Sequence, residues 1–248
     1  MKESDRMSTL SGRVAVIVGA SSGVGLATAK QFHEAGAIVH AVARRKPAFE
    51  KSDRFHAHTF DLTDSAAVER GMASILKRGP IDVLVYAAGH NVPNRRLAET
   101  TLEDWNTVIQ VNLSAAFQTL QMALPSLRER HGTAIFISSN SAAWPNLSGT
   151  AYQASKTGLF GLARSGAYEE HQNGVRISVI LPGVIDTPFL DRRADPPDAA
   201  KRINMLQADD IASACLFLAT LPERAYVPEM VLLPTYLQAP GKGDGAHK

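Results

Sequence analysis

Residues 13–25 read R-V-A-V-I-V-G-A-S-S-G-V-G, and this stretch decides the fold of the chain. Residues 13–18 are almost wholly apolar and rich in β-branched side chains, which is typical of a central strand in a parallel sheet. The glycines that follow allow the backbone to turn tightly and to approach a ligand closely. A helical pattern then runs from Leu26 to Ala35. A strand, a glycine-rich turn and a helix indicate a dinucleotide-binding unit, the alternative being a plain strand-to-helix connection.

The rest of the chain repeats this alternation of strands and helices. Further apolar runs predict strands at residues 37–43, 55–60, 81–86, 133–137, 175–180 and 230–233. Helices are predicted from Thr63 or Asp64 to Lys77 and at residues 102–128, 150–170 and 209–219, with a surface loop or short lid at 189–206. We therefore predict an α/β fold, a Rossmann-type doubly wound parallel sheet of about seven strands with helices on both faces. Residues 1–248 are expected to form a single domain with flexible tails at 1–12 and 240–248.

Composition excludes several classes of function. The chain has 248 residues and a formal net charge of +2, with no long basic run, which disfavours a nucleic-acid or membrane-surface partner. The N-terminal residues lack the apolar core of a signal peptide, and no run approaches the roughly 18 apolar residues of a membrane span, so we expect a cytoplasmic protein. Cys215 is the one cysteine and is expected in a buried helix. His56 and His58 alternate on a strand without an evident third ligand, so no metal site is predicted.

The end of the second strand carries information about a cofactor. Arg44, Arg45 and Lys46 follow this strand, and no acidic residue appears until Glu50. An acidic residue at this place would bind the ribose 2′-hydroxyl of NAD, whereas arginine suits the 2′-phosphate of NADP. The pattern therefore favours NADP(H) over NAD(H), the alternative being that these are solvated surface cations. Asp61 and Asp64, after the third strand, fit a helix cap, the alternative for Asp61 being a contact with the adenine.

A candidate acid lies in the second half of the chain. Tyr152 and Lys156 are four residues apart in a helical segment, which places the phenol and the ammonium on one helix face. A neighbouring cation stabilises the phenolate and so lowers an unperturbed pKa of about 10. Ser139 lies upstream, where the fifth strand ends. Asn112 is an amide on a mostly apolar stretch, and the residues alone leave open whether it is structural or part of a proton path.

Taken in order, these motifs resemble the short-chain dehydrogenase/reductase family over about residues 12–234. The matching pieces are G-A-S-S-G-V-G at 19–25, D-L-T at 61–63, A-A-G at 87–89, V-N-L at 111–113, Ser139 with Y-Q-A-S-K at 152–156, and P-G-V-I-D-T at 182–187. Val18 and Ala87 depart from the family's usual threonine and asparagine. Because neither position takes part in chemistry, altered local stability is expected there rather than inactivity.

The resemblance implies hydride transfer between NADP(H) and a small carbonyl compound or secondary alcohol. In that family pattern, Tyr152 is the general acid or base, and Lys156 lowers its pKa and bonds the nicotinamide ribose. Ser139 holds the carbonyl oxygen, and Asn112 keeps a water in the proton relay. The alternative is a catalytically silent NADP(H)-binding redox sensor or interaction protein. Retention of all four residues favours the enzyme.

The remaining expectations concern cofactor, substrate and assembly. The expected cofactor contacts are Gly19, Ser21, Ser22, Gly23, Val24, Gly25, Arg44, Arg45, Asp61, Leu62, Ala88, Gly89, Val111, Tyr152, Lys156, Pro182, Gly183, Ile185 and Thr187. The candidates to line the substrate pocket are His90, Asn91, Val92, Trp144, Asn146, Leu147, Phe189 and Leu190. The loop residues Arg95, Arg96, Arg192 and Arg193 either attract an anionic substrate or are simply solvated. Family members are commonly tetramers or dimers built on helices equivalent to residues 102–128 and 150–171, so a homo-oligomer is expected.

Overall fold

The computed structural model describes residues 9–49, 52–146, 148–193 and 196–236. Its strands are β1 (Val14–Val18), β2 (Ile38–Ala43), β3 (Phe55–Thr59), β4 (Val83–Tyr86), β5 (Thr133–Ile137), β6 (Arg176–Pro182), β7 (Ile185–Asp186), β8 (Leu206–Gln207) and β9 (Glu229–Leu232). Its α-helices are α1 (Gly23–Glu34), α2 (Ser65–Leu76), α3 (Leu102–Ile109), α4 (Ala115–Arg130), α5 (Thr150–Glu170), α6 (Ala199–Arg202) and α7 (Ala208–Thr220).

Within these ranges, the main sheet has seven strands in the order β3-β2-β1-β4-β5-β6-β9. Every neighbouring pair is parallel, with Val16 opposite His40 of β2 and opposite Leu84 of β4. The direction of winding reverses between β1 and β4, which opens a crevice at the carboxyl ends of these strands. The predicted doubly wound fold is confirmed.

Helices cover both faces of the sheet because its central strands are apolar on both sides. Helices α1 and α7 pack on one face, where Phe32 and Cys215 are fully buried. Helices α2, α4 and α5 pack on the other, where Met72 and Leu159 are fully buried. Burial raises the pKa of the Cys215 thiol to about 12, with a small opposing effect from Thr28. Cys215 is therefore a packing residue, as its helical context predicted.

The helix predicted at residues 102–128 is interrupted. Between α3 and α4 the chain forms a π-helical turn at Gln110–Ser114, so the helix widens for one turn. Such turns are frequently found at functional sites. The carbonyl of Val111 accepts a hydrogen bond from the hydroxyl of Tyr86, at the end of β4. The turn thereby packs against the sheet edge that carries the crevice.

Two other expectations are corrected. Residues 189–206 are not a bare loop, because they include α6, a 3₁₀ turn at Leu190–Arg192 and strand β8, which pairs with β7. The Arg202 guanidinium fastens the segment by donating to Asp186 at 2.8 Å and to Asp191. Residues 9–12 do not belong to a flexible tail, because Leu10 is fully buried and its N–H donates to Ala35. Residues 1–8 and 237–248 lie outside the described ranges.

A third imidazole joins the two histidines that the sequence places on β3. His40 of β2 lies beside both, with its Nδ1 2.9 Å from Nε2 of His58 and its ring centroid 5.0 Å from that of His56. Strand pairing brings them together, since His40 and His56 are opposite each other in the register. In the described part of the chain, no group of three or more histidine, cysteine, aspartate or glutamate side chains is arranged to hold a metal ion. No helix in that part is long and apolar enough to cross a membrane.

Candidate active site

The carboxyl ends of the parallel strands open into a cavity of about 1730 Å³. Residues following β1, β2, β4, β5 and β6 line it, as expected where the winding of a doubly wound sheet reverses. The volume exceeds the roughly 300–1,000 Å³ of a typical small-molecule pocket. The cavity therefore has room for a dinucleotide together with a second molecule.

The glycine-rich turn after β1 forms the floor of one end of the cavity. Gly19 has a φ of +95°, and a Cβ there would lie 2.6 Å from the backbone nitrogen of Ala88. A Cβ on Gly25 would lie 2.3 Å from the carbonyl oxygen of Gly19. These contacts bring the turn, the first turn of α1 and the end of β4 into close packing that only glycine permits.

Helix α1 starts at Gly23, three residues before the predicted start, and Ser22, Gly23 and Val24 line the cavity. Ser22 is the N-cap residue, and its side chain makes no capping hydrogen bond. No acidic residue lies in the first turn. The free N–H groups and the positive end of the helix dipole suit a phosphate.

Arg44 and Asp61 lie at the next part of the edge, after β2 and β3. Arg44 is exposed and lines the cavity with Arg45. Burial alone would raise the pKa of the Asp61 carboxyl, but hydrogen bonds from Thr63 and the charge of Arg44 hold that pKa below its usual value. Arg44 and Asp61 thus present one guanidinium and one ionised carboxylate to the same end of the cavity.

Ser139, Tyr152 and Lys156 converge at the other end. Ser139 follows β5 and caps a 3₁₀ turn by accepting from the N–H of Ser141. Tyr152 and Lys156 lie one turn apart on α5, and Nζ of Lys156 is 5.7 Å from the phenol ring centroid. The hydroxyl of Ser138 donates to the Lys156 carbonyl at 2.9 Å, which ties α5 to the end of β5. The predicted Ser-Tyr-Lys set is thereby gathered in one place.

The pKa values of this set correct one expectation. Burial raises the pKa of Tyr152 to about 12, against the lowering effects of its hydrogen bond with Ser139 and of the positive charges of Arg193 and Arg95. Lys156 is not among the charges that lower it. Nζ of Lys156 instead donates to the Ile137 carbonyl at 2.8 Å. Burial also lowers the pKa of Lys156 to about 8.

Asn112 lies in the π-helical turn, fully buried and beneath the cavity. Its Oδ1 accepts from the His90 N–H at 2.7 Å, and its Nδ2 donates to the His90 carbonyl at 2.9 Å and to the Ser155 hydroxyl at 2.8 Å. Both protons of the amide are thus used within the protein. The side chain is a structural clamp, and the water relay implied by the family pattern stays a prediction.

The substrate side of the cavity lies around Tyr152. The Phe189 ring is 6.2 Å from the Tyr152 ring, centroid to centroid. Nδ2 of Asn91 donates to the Ser148 carbonyl at 2.9 Å, which joins the loop after β4 to the loop before α5. Oδ1 of Asn146 accepts from the N–H of Ser148 at 2.9 Å. These two loops together form one wall.

Most of the residues expected from the sequence line the cavity. Four described residues are exceptions, namely Gly25, Val92, Asn112 and Trp144. Gly25 and Asn112 lie beneath the cavity. Val92 packs with Val108 and Ala151 instead. Trp144 ends the turn after β5, with its N–H bonded to the Asn140 carbonyl. Leu147 lies outside the described residues, as does the side chain of Arg192.

The cavity also includes residues that the sequence reasoning missed. These are chiefly Asn140, Gln153, Thr157, Lys201 and Met205. Gln153 and Thr157 follow Tyr152 and Lys156 directly, so their positions on the helix could have suggested them. Lys201 and Met205 carry no such signal, because only the folding of residues 196–207 over the cavity brings them there.

Comparison with known proteins agrees with this geometry. Residues 13–197 match the family described as short chain dehydrogenase. The chain belongs to the short-chain dehydrogenase/reductase family. Short-chain dehydrogenases similar to it include the serine 3-dehydrogenase of Agrobacterium fabrum, 32% identical over 231 residues, covering 88% of this chain and 92% of that protein. The 3-oxoacyl-[acyl-carrier-protein] reductase FabG of Thermotoga maritima is 31% identical over 238 residues, covering 90% and 96%.

Solved structures share this fold over most of the chain. A serine dehydrogenase in its closed form with NADP+ has a TM-score of 0.83 and 26% identity, covering 92% of this chain and 97% of that one. An alcohol dehydrogenase from the archaeon Thermococcus sibiricus with 5-hydroxy-NADP has a TM-score of 0.79 and 30% identity, covering 92% and 98%. The chain is thus a short-chain oxidoreductase by sequence and by fold.

Proposed function

We propose that the protein transfers hydride between NADP(H) and a small carbonyl compound or secondary alcohol. The observation that carries this proposal is the convergence of Ser139, Tyr152 and Lys156 on the same cavity as the glycine-rich turn. A proton donor and a phosphate-binding turn are the two parts that a nicotinamide-dependent reduction requires from the protein.

The residues of the turn fit a dinucleotide. Gly19 and Gly25 let the turn pack tightly against the backbone of Ala88 and of the turn itself, and the uncapped start of α1 offers N–H groups to the pyrophosphate. Asp61 and Leu62 would hold the adenine, and Ile185 and Thr187 the carboxamide. When bound, the nicotinamide supplies or accepts the hydride.

The protein's own residues supply the proton and the orientation. At neutral pH the Tyr152 phenol is protonated, because burial raises its pKa to about 12. It can therefore give its proton to a carbonyl oxygen that the Ser139 hydroxyl holds. Lys156, whose Nζ donates to the Ile137 carbonyl at the end of β5 and lies near Gly89 after β4, would bond the ribose of the cofactor.

The arginines after β2 support NADP(H) over NAD(H). Arg44 and Arg45 both line the cavity, and no acidic residue among the described ones stands at the end of β2. A guanidinium is suited to a 2′-phosphate by charge and by geometry. The two solved structures named above are complexes with NADP+ and with 5-hydroxy-NADP.

A panel of carbonyl compounds and alcohols with NADPH, NADH and their oxidised forms tests the proposal, with turnover followed at the nicotinamide absorbance. Tyr152→Phe should lower kcat by at least about 100-fold, since a general acid contributes 10²–10⁴-fold, and leave NADPH affinity unchanged. Tyr236→Phe is the control, because Tyr236 is 78% exposed and does not line the cavity.

Near-normal turnover by Tyr152→Phe would refute the role of Tyr152. Tight cofactor binding without turnover across the panel would favour the redox-sensor alternative.

The expected homo-oligomer and cytoplasmic location stay predictions. Phe117 on α4, 50% exposed, and Tyr168 on α5 are apolar surface residues on the helices proposed to form the subunit interface.

A further inference from the structure

Arg95 lies in the wall of the cavity next to Tyr152. Its Nε donates to the Val92 carbonyl at 3.0 Å, which holds the guanidinium in a fixed direction. Gly149 has a φ of +90°, and a Cβ there would lie 2.7 Å from the Cβ of Arg95. Since Gly149 is the N-cap of α5, Arg95 packs directly against the start of the helix that carries Tyr152.

The charge of Arg95 acts on the reacting end of the cavity. Arg95 and Tyr152 both line the cavity, and the positive charge of Arg95 is one of those that lower the pKa of the phenol. Arg95 is half-buried. Its neighbour in sequence, Arg96, also lines the cavity but is exposed. Of the two, Arg95 is therefore the arginine that is packed in place near the acid.

The bonding capacity of Arg95 is only partly used within the protein. Among the described residues, its hydrogen bonds involve Nε alone, and no carboxylate forms an ion pair with it. A half-buried cation without a counter-ion is costly unless a ligand supplies one. The two Nη groups of a guanidinium match the two oxygens of a carboxylate in a bidentate pair.

We propose that Arg95 binds a carboxylate of the substrate, so that the substrate is a short hydroxy acid or the corresponding oxo acid. This inference rests on the proposed hydride-transfer function. The carboxylate takes no part in the redox change. In the reducing direction the carbonyl carbon of the oxo acid takes the hydride from the nicotinamide cofactor, as that function already assigns, and the carbonyl oxygen takes the proton of Tyr152, so the product is the hydroxy acid. Oxidation is the reverse and starts from the Tyr152 phenolate, which takes the hydroxyl proton. Arg95 then selects the substrate, and Tyr152 and Ser139 act on its other end.

The test compares 2-, 3- and 4-hydroxy acids of four or five carbons with their methyl esters, using NADP+ and the wild-type protein, Arg95→Gln, Arg95→Lys and Arg96→Gln. The wild type should prefer at least one acid to its ester. Arg95→Gln should lower kcat/KM for that acid by roughly 10- to 100-fold, mainly through KM, because a charge-assisted hydrogen bond is lost. The loss for the ester should be smaller than the loss for the acid, so the acid-to-ester ratio of kcat/KM should fall, because a change in the pKa of Tyr152 acts on both compounds alike. Affinity for NADP+ should stay within about twofold, and Arg95→Lys should restore part of the loss for the acid, since lysine keeps the charge but not the fork.

The outcomes separate the two proposals. An unchanged acid-to-ester ratio in Arg95→Gln, or an equal loss in Arg96→Gln, would overturn the carboxylate site while leaving hydride transfer intact. If no compound of either series is turned over, the thermal shift of the NADP+-loaded protein with 3-hydroxybutyrate decides the site on its own. A shift in the wild type that is lost in Arg95→Gln supports the site, and no shift in the wild type refutes it.

Discussion

Asn112 clamps both backbone groups of His90, accepting from its N–H at 2.7 Å and donating to its carbonyl at 2.9 Å. The amide thus replaces the pairing that a neighbouring strand would give to the chain just after β4. It fixes the direction in which the loop leaves the sheet. That loop carries Asn91 and Arg95, so the buried amide positions one wall of the cavity.

Removing this clamp should destabilise the protein. Asn112→Leu conserves volume but removes the hydrogen bonds of Asn112 with the His90 backbone and with the buried Ser155 hydroxyl, at a cost of about 1–3 kcal/mol. Ser155→Ala, which leaves one proton of the buried Asn112 amide without its acceptor, should cost about 1–3 kcal/mol as well. Urea unfolding followed by circular dichroism measures both. Equal stability of Asn112→Leu and the wild type would contradict the structural role of the side chain.

Glycines at two helical positions should respond in opposite directions to alanine. Gly25→Ala places a Cβ 2.3 Å from the Gly19 carbonyl, so the turn must move, and both stability and NADPH affinity should fall. Gly161 on α5 is exposed, and a Cβ there would meet no other atom within 4 Å, so Gly161→Ala should stabilise the protein by about 0.5–1 kcal/mol through helix propensity. Thermal unfolding with and without NADPH distinguishes them. A stable, NADPH-binding Gly25→Ala would refute the close packing of the turn.

Cofactor preference should depend on Arg44. Arg44→Ala should raise the Kd for NADPH by about 10- to 100-fold, because a charge-assisted contact to phosphate is lost, and leave the Kd for NADH nearly unchanged. Lys46→Ala is the matched control, since Lys46 is exposed and does not line the cavity. Fluorescence titration of the reduced cofactors gives both constants. Equal weakening of NADPH and NADH binding would remove the assignment of Arg44 to the 2′-phosphate.

Acid should destabilise the fold through His40. Burial, followed by the charges of His58, His56 and Arg78, lowers the pKa of His40 to about 3. In the unfolded chain the pKa is about 6.5, so between these values unfolding takes up a proton. The free energy of unfolding should therefore fall as pH drops below 6.5, by up to about 1.4 kcal/mol per pH unit from this group.

His40→Leu removes the titrating group, so the free energy of unfolding should fall less steeply with acid than in the wild type. Urea unfolding at intervals between pH 7 and pH 4.5 gives the two slopes. Carboxylate titration is common to both proteins and cancels in the difference. Parallel curves for the two proteins would show that His40 is not kept neutral by the fold.

Local sequence was sufficient for the seven strands of the main sheet and most helices, but not for β7 and β8. The apolar runs after Arg13 and before Ser138 predicted β1 and β5 because strands buried on both faces have no polar positions. The start of α1 was missed by three residues, since Gly23, Val24 and Gly25 resemble a loop in composition. The π-helical turn around Asn112 has no local signature, because it depends on contacts with β4 and α5.

By itself, the sequence determined the doubly wound sheet, the glycine-rich turn and the spacing of Tyr152 and Lys156, since each follows from residues close together in the chain. Only the tertiary structure decided that Asn112 holds His90, that Arg95 faces Tyr152 and that burial raises the pKa of the phenol. The physical reason is that hydrogen bonding, charge and desolvation act through space. Which groups become neighbours is set by the order of strands in the sheet, not by their separation along the chain.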